Sequence, residues 1–299
     1  MRGILVINKA ANMTSHDVVA ILRKKLNMKR IGHTGTLDPM VTGVLPICIG
    51  NATRVSDYIM AQGKVYKGQL RFGASTTSYD SYGEITATSK NTNFSSSDIL
   101  EAFQDFQGEI EQSPPIYSAI KVKGKKLYEY ARSNKRVDIP KRRVHIYGLE
   151  LLKIQDDKVD FLVSCSKGTY VRSLVHEIGK HLGTLAYMTK LERVSVGKFG
   201  LEDALDINEI DQFSIEEIKS KLLPMENCLY NLGRIDIFDD ISKRLINGQR
   251  INLNTISYEL ANNEIGEIDM DNILTFVKNK FIGISSIKNN VIKMERVLL

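Results

Sequence analysis

The chain has 299 residues, of which 42% are hydrophobic and 25% charged, and its formal net charge is +6. This composition indicates a globular protein of about two domains, with no run near the roughly 18 apolar residues of a membrane helix and no signal peptide. Three widely separated cysteines form neither a disulfide framework nor a zinc knuckle, so we expect a protein of the reducing cytoplasm.

The N-terminal part predicts a strand, a helix and a second strand. Residues 3–7 are apolar enough for a buried strand. Thr14 is followed three residues later by Asp17, which is typical of a capping box, and apolar residues then recur at helical spacing as far as Leu26. A further buried strand is expected over residues 44–49.

A shaped loop precedes that second strand. Its sequence is Gly32-His33-Thr34-Gly35-Thr36-Leu37-Asp38-Pro39. Glycine permits backbone angles that side chains forbid, and Pro39 pushes Asp38 away from the helical region. An aspartate in such a loop either bonds a nearby amide in a turn or is a functional group held by a rigid scaffold.

The next segment predicts two helices and two strands around a polar loop. We expect a helix to end near residue 62, a strand over 65–72 that carries Tyr66, and a strand over 84–88. The polar loop between these strands contains Asp80. A serine-rich cap then begins a helix that ends near residue 106.

A basic segment at about 115–143 follows two prolines. Between Lys121 and Arg143, ten lysines and arginines stand against Glu129 and Asp138, so the net charge there is +8 and the rest of the chain is slightly acidic. Tyrosines 117, 128 and 130 are interleaved with the cations and offer flat faces to bases. This pattern favours a nucleic-acid surface over a merely solvated loop.

Two long strands, over 143–154 and 159–166, are expected next. A helix over 169–182 and a strand over 185–196 follow, and Arg172 lies in the first turn of this otherwise apolar helix. The chain becomes acidic from about residue 201, with a helical connector before residue 230.

The last 70 residues predict a small β-rich domain at about 230–299. Turn dipeptides separate its short strands, and the two last strands form a hairpin over 282–287 and 291–297. The turns are Asn247-Gly248, Asn262-Asn263 and Asn289-Asn290.

Several kinds of catalysis lack a motif. His176 and His181 are five residues apart, so they do not share the helix face that a zinc protease helix needs. No GxxxxGK[ST] loop, no GxGxxG after a strand and no GxSxG elbow occurs. We therefore expect neither a metal nor a cofactor, and the polar groups in unusual settings are Asp38, Tyr66 and Arg172.

With these residues in place, the sequence resembles the TruB family of tRNA pseudouridine synthases. The resemblance spans the first two-thirds of the chain, and the glycine-rich block with Asp38 is its most specific part. Its five segments, in the family's order, are 3–17, 32–54, 64–67, 114–132 and 165–172. The last 70 residues resemble a PUA-type RNA-binding domain weakly, through residues 245–248 and 281–284.

The resemblance implies isomerisation of one uridine in the T-arm loop of tRNA, position 55, to pseudouridine without a cofactor. Asp38 would be the nucleophile, and attack at C1′ or at C6 of the flipped nucleotide stays open. Arg172 would pair with Asp38 and keep it ionised and aimed. Tyr66 would stack on the target base, near the proton lost from C5, and Tyr170 would help to wall the pocket.

Further positions follow from the same resemblance. Leu191 would also wall the pocket, and His33 would fill the gap that the flipped base leaves. Asp80 matches a position that supports the pocket. Phosphates would be held by the basic segment and by Lys9, and the cations concerned are Lys9, Lys121, Lys125 and Lys126.

The chain departs from the family at two places. Ala10 stands where proline is common, and Thr77 stands where many members have aspartate. Neither departure affects Asp38.

The fold that we expect is α+β, a mixed and largely antiparallel central sheet with flanking helices, followed by a small β-barrel-like PUA domain. Residues 1–229 would form the catalytic domain and residues 230–299 the RNA-binding domain. The expected partner is the T arm of tRNA; we expect no membrane and no protein partner, and a monomer. Two alternatives stay open: a tRNA-folding chaperone, alone or alongside catalysis, and an RNA methyltransferase with a PUA-like tail.

Overall fold

The computed structural model describes residues 1–133, 135–262 and 268–299, in which two strand-rich parts are joined by short helices. Its strands are, in chain order, β1 (Gly3–Lys9), β2 (Ile31–His33), β3 (Thr42–Ile49), β4 (Lys64–Phe72), β5 (Ala74–Thr76), β6 (Ile85–Thr88), β7 (Gly108–Gln112), β8 (Lys121–Val122), β9 (Lys125–Lys126), β10 (Arg142–Gln155), β11 (Lys158–Cys165), β12 (Ala186–Val196), β13 (Phe199–Gly200), β14 (Leu205–Asp206), β15 (Gly233–Ile237), β16 (Ile251–Asn252), β17 (Tyr258–Ala261), β18 (Ile273–Val277), β19 (Lys280–Lys288) and β20 (Val291–Val297).

The helices are short and lie mostly between strands of the main sheet. The α-helices are α1 (Ser15–Lys25), α2 (Ser56–Ala61), α3 (Ser96–Asp105), α4 (Leu127–Arg132), α5 (Val171–His181), α6 (Ile215–Ser220) and α7 (Ser242–Ile246). Single 3₁₀ turns occur at Gly50–Val55, Leu201–Asp203, Ile207–Glu209, Glu226–Cys228 and Leu253–Thr255. No described helix is long and apolar enough to cross a membrane.

The main sheet has ten strands in the order β14-β1-β3-β12-β4-β11-β10-β7, with β13 paired to β12 and β2 paired to β3. Within this sheet, and among the described residues, only β1–β14 and β3–β12 are parallel pairs. This is the mixed, largely antiparallel sheet that the sequence predicts, and the fold class is confirmed. The parallel contact between β3 and β12 matters for function, because it joins the strand after the Asp38 loop to the centre of the sheet.

Two apolar clusters hold the site in place. One packs α1 against β1 and β3 and includes Leu37 of the Asp38 loop. The other packs α3 and α5 against β4, β10 and β11. Tyr66 and Leu191 contact both clusters, so they lie at the seam between the two halves of the sheet.

The C-terminal part forms a separate six-stranded sheet in the order β16-β20-β19-β18-β15-β17. It is an open sheet in the part of the chain described, since its end strands β16 and β17 do not pair there. Leu274, Phe276, Phe281 and Ile284 of this sheet, with Leu298 after its last strand, join a core cluster with β1, β3 and α2. The two parts therefore share an apolar interface.

Local signals gave the expected elements at most positions. The capping box of Thr14 and Asp17 begins α1. Asn289 and Asn290 both have positive φ, 50° and 62°, which is the geometry of a type I′ hairpin turn. Gly248, with φ 84°, follows the end of α7. The predicted turn at Asn262-Asn263 lies partly outside the described residues, because Asn263 is not among them.

Candidate active site

The Asp38 loop is held in place by bonds to its backbone on both sides of the carboxylate. The Leu37 amide donates to Ser15 Oγ at 2.8 Å, and the buried Leu37 side chain anchors the loop in the core. The Pro39 carbonyl accepts from the Asn12 amide at 2.8 Å. The Asp38 carbonyl accepts from the Val41 amide at 3.0 Å. The loop is thus rigid while its carboxylate, 40% exposed, stays accessible.

Arg172 joins three segments of the chain through its two guanidinium edges. Its Nη2 lies 2.9 Å from Asp38 Oδ2 and donates to the Tyr117 carbonyl at 3.0 Å. Its Nη1 lies 3.3 Å from Asp80 Oδ2 and donates to the Ser78 carbonyl at 3.0 Å. The planar fork of arginine makes such a two-sided contact possible, whereas a lysine ammonium is a single point. Arg172 is itself only 4% exposed, so this network is largely dry.

Asp80 is the buried member of the network. Its Oδ1 accepts from Ser78 Oγ at 2.5 Å and from the Tyr82 amide at 3.0 Å, while its Oδ2 faces Arg172. The Asp80 segment also bridges Met188 of β12. A buried carboxylate with these partners supports the guanidinium from behind and leaves Asp38 as the exposed end of the chain of charges.

A cavity of about 580 Å³ opens beside Asp38, within the range of about 300–1,000 Å³ typical of small-molecule sites. Tyr66 of β4, Tyr170 before α5 and Leu191 of β12 line it together with Asp38 and Arg172. Five residues that sequence reasoning assigned to one pocket thus lie around one cavity.

Burial and cations set the charge properties of the cavity floor. Burial raises the pKa of the Tyr66 phenol, and the Arg193 guanidinium beside it acts in the opposite direction. Burial lowers the pKa of the Lys64 ammonium, with Arg193 acting in the same direction, and together they bring it to about 8. Tyr66 is therefore a neutral phenol at pH 7, next to a floor that is rich in positive charge.

The predicted phosphate contact of Lys9 does not fit the structure. Lys9 is fully buried, and its Nζ donates to the carbonyls of Ala10, Met13 and Pro39 at 2.8, 2.8 and 3.2 Å. An ammonium has three donors, so none remains for a phosphate. The pKa of the Lys9 ammonium is lowered to about 8, because burial outweighs the opposing effect of the Asp38 carboxylate. Lys9 instead holds the Asp38 loop from below.

The family models match most of the chain. The TruB family pseudouridylate synthase N-terminal domain covers residues 23–171, and the tRNA pseudouridylate synthase B C-terminal domain covers residues 172–230. The chain belongs to the TruB family. As a pseudouridylate synthase it is an enzyme of the isomerase class.

Similar proteins support the same assignment. The tRNA pseudouridine synthase B of Staphylococcus aureus strain JH9 is 46% identical over 278 residues, which are 90% of this chain and 91% of that protein. The structure of an H/ACA RNP bound to a substrate RNA containing 2′-deoxyuridine includes a similar chain, 25% identical with a TM-score of 0.75. A Cbf5-Nop10-Gar1 complex includes another, 27% identical with a TM-score of 0.75. Each match covers 99% of this TruB chain and 85% of the other.

The remaining predicted residues of this TruB protein are not among those that line the cavity. His33 ends β2, is partly buried, and its Nδ1 lies 3.4 Å from the Gly35 amide. Burial is the main cause of the lowered pKa of the His33 imidazole. His33 precedes Asp38 in the glycine-rich block, and Leu37 comes between them in the sequence.

The basic segment folds into the β8–β9 hairpin and α4. Lys121 and Lys125 are exposed on the hairpin, and Lys126 is partly exposed beside the Tyr128 ring at 5.4 Å. Arg132 lies at 5.4 Å from the same ring. The Tyr130 hydroxyl donates to the Val122 carbonyl at 3.0 Å, which ties helix to hairpin. Tyr128 therefore packs against the cations and Tyr130 fixes the hairpin, roles that the sequence analysis did not predict.

Sequence reasoning missed Arg193. It is 1% exposed, its Nε donates to the Val44 carbonyl at 2.7 Å, and its Nη2 donates to the Gly35 carbonyl at 3.3 Å. These carbonyls lie on opposite sides of the Asp38 loop. The available signal was a charged residue inside a strand predicted to return to the core, since such residues are almost never fully buried without partners.

Two further chemistries find no support. No group of three or more His, Cys, Asp or Glu side chains suited to a metal occurs among the described residues. Cys48, Cys165 and Cys228 are buried, and burial raises their thiol pKa values to about 12, 11 and 12. A thiolate nucleophile of the kind that C5 methylation needs is therefore disfavoured at all three positions.

Proposed function

We propose that this protein converts one uridine in the T-arm loop of tRNA, position 55, to pseudouridine, with Asp38 as the nucleophile. The observation that carries the proposal is the pairing of the accessible Asp38 carboxylate with buried Arg172 at 2.9 Å, beside the cavity that Tyr66 helps to line. The tRNA pseudouridine synthase B of Staphylococcus aureus, 46% identical, supports tRNA as the substrate.

The chemistry follows from the different surroundings of the two carboxylate oxygens of Asp38. Oδ2 is held by Arg172, and none of the described residues donates a hydrogen bond to Oδ1. Oδ1 is thus the oxygen that attacks the flipped nucleotide, at C1′ or at C6. A covalent intermediate divides cleavage of the glycosidic bond and formation of the C–C bond into two easier steps. Tyr66, Tyr170 and Leu191 enclose the base while it turns.

RNA binding is assigned to the β8–β9 hairpin and to His33. Lys121, Lys125 and Lys126 contact phosphates of the T arm, which predicts affinity that falls with salt. His33 takes the place of the flipped base, because stacking on an aromatic ring returns about 1–3 kcal/mol of the unstacking cost. Asp80 supports Arg172 from behind.

The two domains divide this work. Residues 1–229 form the catalytic part, and the end of the matched family models at residue 230 supports that boundary. Residues 230–299 form an RNA-binding part. We also propose a cytoplasmic monomer, and the three free buried cysteines are consistent with a reducing compartment.

A tRNA-folding activity is a second candidate. The exposed cations of the β8–β9 hairpin would hold an RNA arm whether or not Asp38 reacts, so binding and isomerisation are separable properties of this molecule. Its test is refolding of a misfolded tRNA by a protein that binds without reacting.

The test is pseudouridine formation in an unmodified tRNA transcript by the wild-type protein and by Asp38→Asn. The amide keeps the shape of the carboxylate but is a poor nucleophile, so we expect tight binding by both and product from wild type alone. Asp156→Asn is the matched control, because Asp156 is exposed in the β10–β11 turn and its φ of 53° suits asparagine. A transcript with cytidine at position 55 tests which nucleotide is modified, since it should yield no pseudouridine. Product from Asp38→Asn would rule out Asp38 as nucleophile.

A further inference from the structure

Helix α5 holds the Asp80 segment at a second point besides Arg172. His176 lies one turn after Arg172, so both side chains lie on the same helix face. The His176 ring stacks on the Tyr79 ring with centroids 3.9 Å apart and planes inclined by 14°. His176 Nδ1 lies 3.4 Å from Ser75 Oγ. The two helix residues therefore contact both ends of residues 75–80.

The His176 ring is fixed on several sides. It is 7% exposed, and besides Ser75 and Tyr79 it lies beside the backbone of Ala186 on β12. Burial lowers the pKa of this imidazole, with Lys180 acting in the same direction and Glu177 in the opposite one. The ring is thus neutral at pH 7 and serves as a flat, immobile surface.

Tyr79 has an unusual backbone that needs such a surface. Its φ is 62°, a left-handed conformation that is uncommon for a residue with a bulky side chain. Its amide donates to the Thr76 carbonyl at 3.2 Å, and its carbonyl accepts from the Met188 amide at 3.0 Å. This bend lies between the Ser78 carbonyl and the Asp80 carboxylate, both of which bind Arg172 Nη1.

We propose that the Tyr79–His176 stack is a positioning device for the isomerase site. It keeps the bend at Tyr79, and so the two acceptors that orient the Arg172 guanidinium toward Asp38. The inference rests on the proposed function. Neither Tyr79 nor His176 lines the cavity beside Asp38, so they act through Arg172 rather than on the nucleotide.

The experiment measures single-turnover pseudouridine formation and tRNA affinity for three variants, at a temperature well below the melting midpoint of each. His176→Ala removes the stack, and we expect a rate about ten- to a hundredfold lower, because a displacement of about 1 Å at a reacting group costs up to about 10²-fold. Binding should stay within about twofold of wild type. His176→Phe keeps a stacking ring and should recover most of the rate.

Tyr79→Asn approaches the same contact from the other side. Asparagine tolerates positive φ, so this variant removes the ring while the backbone bend stays accessible. We expect the same loss as for His176→Ala, and a double variant no slower than either single one, since both remove one interaction. His181→Ala is the matched control on the same helix, because His181 pairs with Asp105 at 3.0 Å, away from this segment.

Two results would overturn the inference. A wild-type rate in His176→Ala or Tyr79→Asn would show that the stack positions nothing. A rate as low in His176→Phe as in His176→Ala would assign the effect to the Ser75 contact instead of the stack. If wild type itself made no pseudouridine, the proposed function would fail, whereas active wild type with equally active variants refutes only this inference.

Discussion

Replacing Arg172 by lysine tests the charge network directly. The guanidinium contacts Asp38 and the Tyr117 carbonyl on one edge, and Asp80 and the Ser78 carbonyl on the other. A lysine ammonium reaches only one of these edges. Asp80 is buried and Asp38 is 40% exposed, and an unpaired buried carboxylate costs about 3–5 kcal/mol. The ammonium in Arg172→Lys should therefore pair with Asp80, and the ion pair with Asp38 should be lost.

This reasoning gives separate magnitudes for stability and rate. Stability should fall by about 2 kcal/mol, from the lost hydrogen bond to the Tyr117 carbonyl and the lost ion pair with Asp38, at about 1 kcal/mol each. For a protein of this size that corresponds to a melting midpoint lower by roughly 4–8 °C. Loss of the Asp38 alignment should slow single-turnover isomerisation about 10²-fold or more, equivalent to about 2.7 kcal/mol. tRNA affinity should change little.

Differential scanning calorimetry and quenched single-turnover assays on the same protein give both numbers. Arg71→Lys is the control, since Arg71 forms a surface pair with Asp157 at 2.7 Å and is 45% exposed, where an ion pair contributes about 0–1 kcal/mol. A wild-type rate in Arg172→Lys would refute the argument that the two-edged guanidinium orients Asp38. A slow reaction explained wholly by weaker tRNA binding would refute it equally.

Two further predictions concern cations. In the Lys121→Ala, Lys125→Ala, Lys126→Ala triple variant, the slope of log affinity against log salt should become shallower by roughly 2, because each lost phosphate contact changes the slope by about 0.7–0.9. Fluorescence titrations measure this slope, and a Lys90→Ala, Lys153→Ala variant is the control. An unchanged slope in the triple variant would show that the RNA binds elsewhere. Lys64 has a folded pKa of about 8 against 10.5 as its ordinary value, so between these pH values the unfolded chain binds more protons and the Lys64 contribution to stability rises with pH. Urea unfolding should show this rise in wild type and a smaller one in Lys64→Met, and identical pH dependences would contradict it.

The parts of the site that sequence could predict are those with a local signature. Asp38 stands out because glycines and a proline shape its loop, and Arg172 because it interrupts an apolar helix. The sheet followed from apolar strands separated by clear turns. Each of these signals lies within a few residues of the feature that it predicts.

The parts that could not be predicted depend on contacts distant in sequence. Lys9 was misassigned because its position after a buried strand does not say whether the ammonium reaches solvent or turns back to Pro39. Arg193 meets the Gly35 carbonyl 158 residues away in the chain. The Tyr79–His176 stack needs α5 and the Asp80 segment to meet across β12. Such partners are set by tertiary packing, which overrides local preference.

The buried cations explain how the Asp38 loop can be rigid while its carboxylate stays available for the role that we propose for it. Lys9 and Arg193 lie beneath the loop, yet their donors go to neutral backbone carbonyls at Pro39, Gly35 and Val44. If either bonded the carboxylate directly, Asp38 would be a weaker nucleophile, because its lone pairs would be shared. Among the described residues, Arg172 alone lies within ion-pair distance of Asp38, and it takes one oxygen. Rigidity therefore comes from the backbone contacts, and the nucleophilic role that we propose for Asp38 depends on the second oxygen being unbonded.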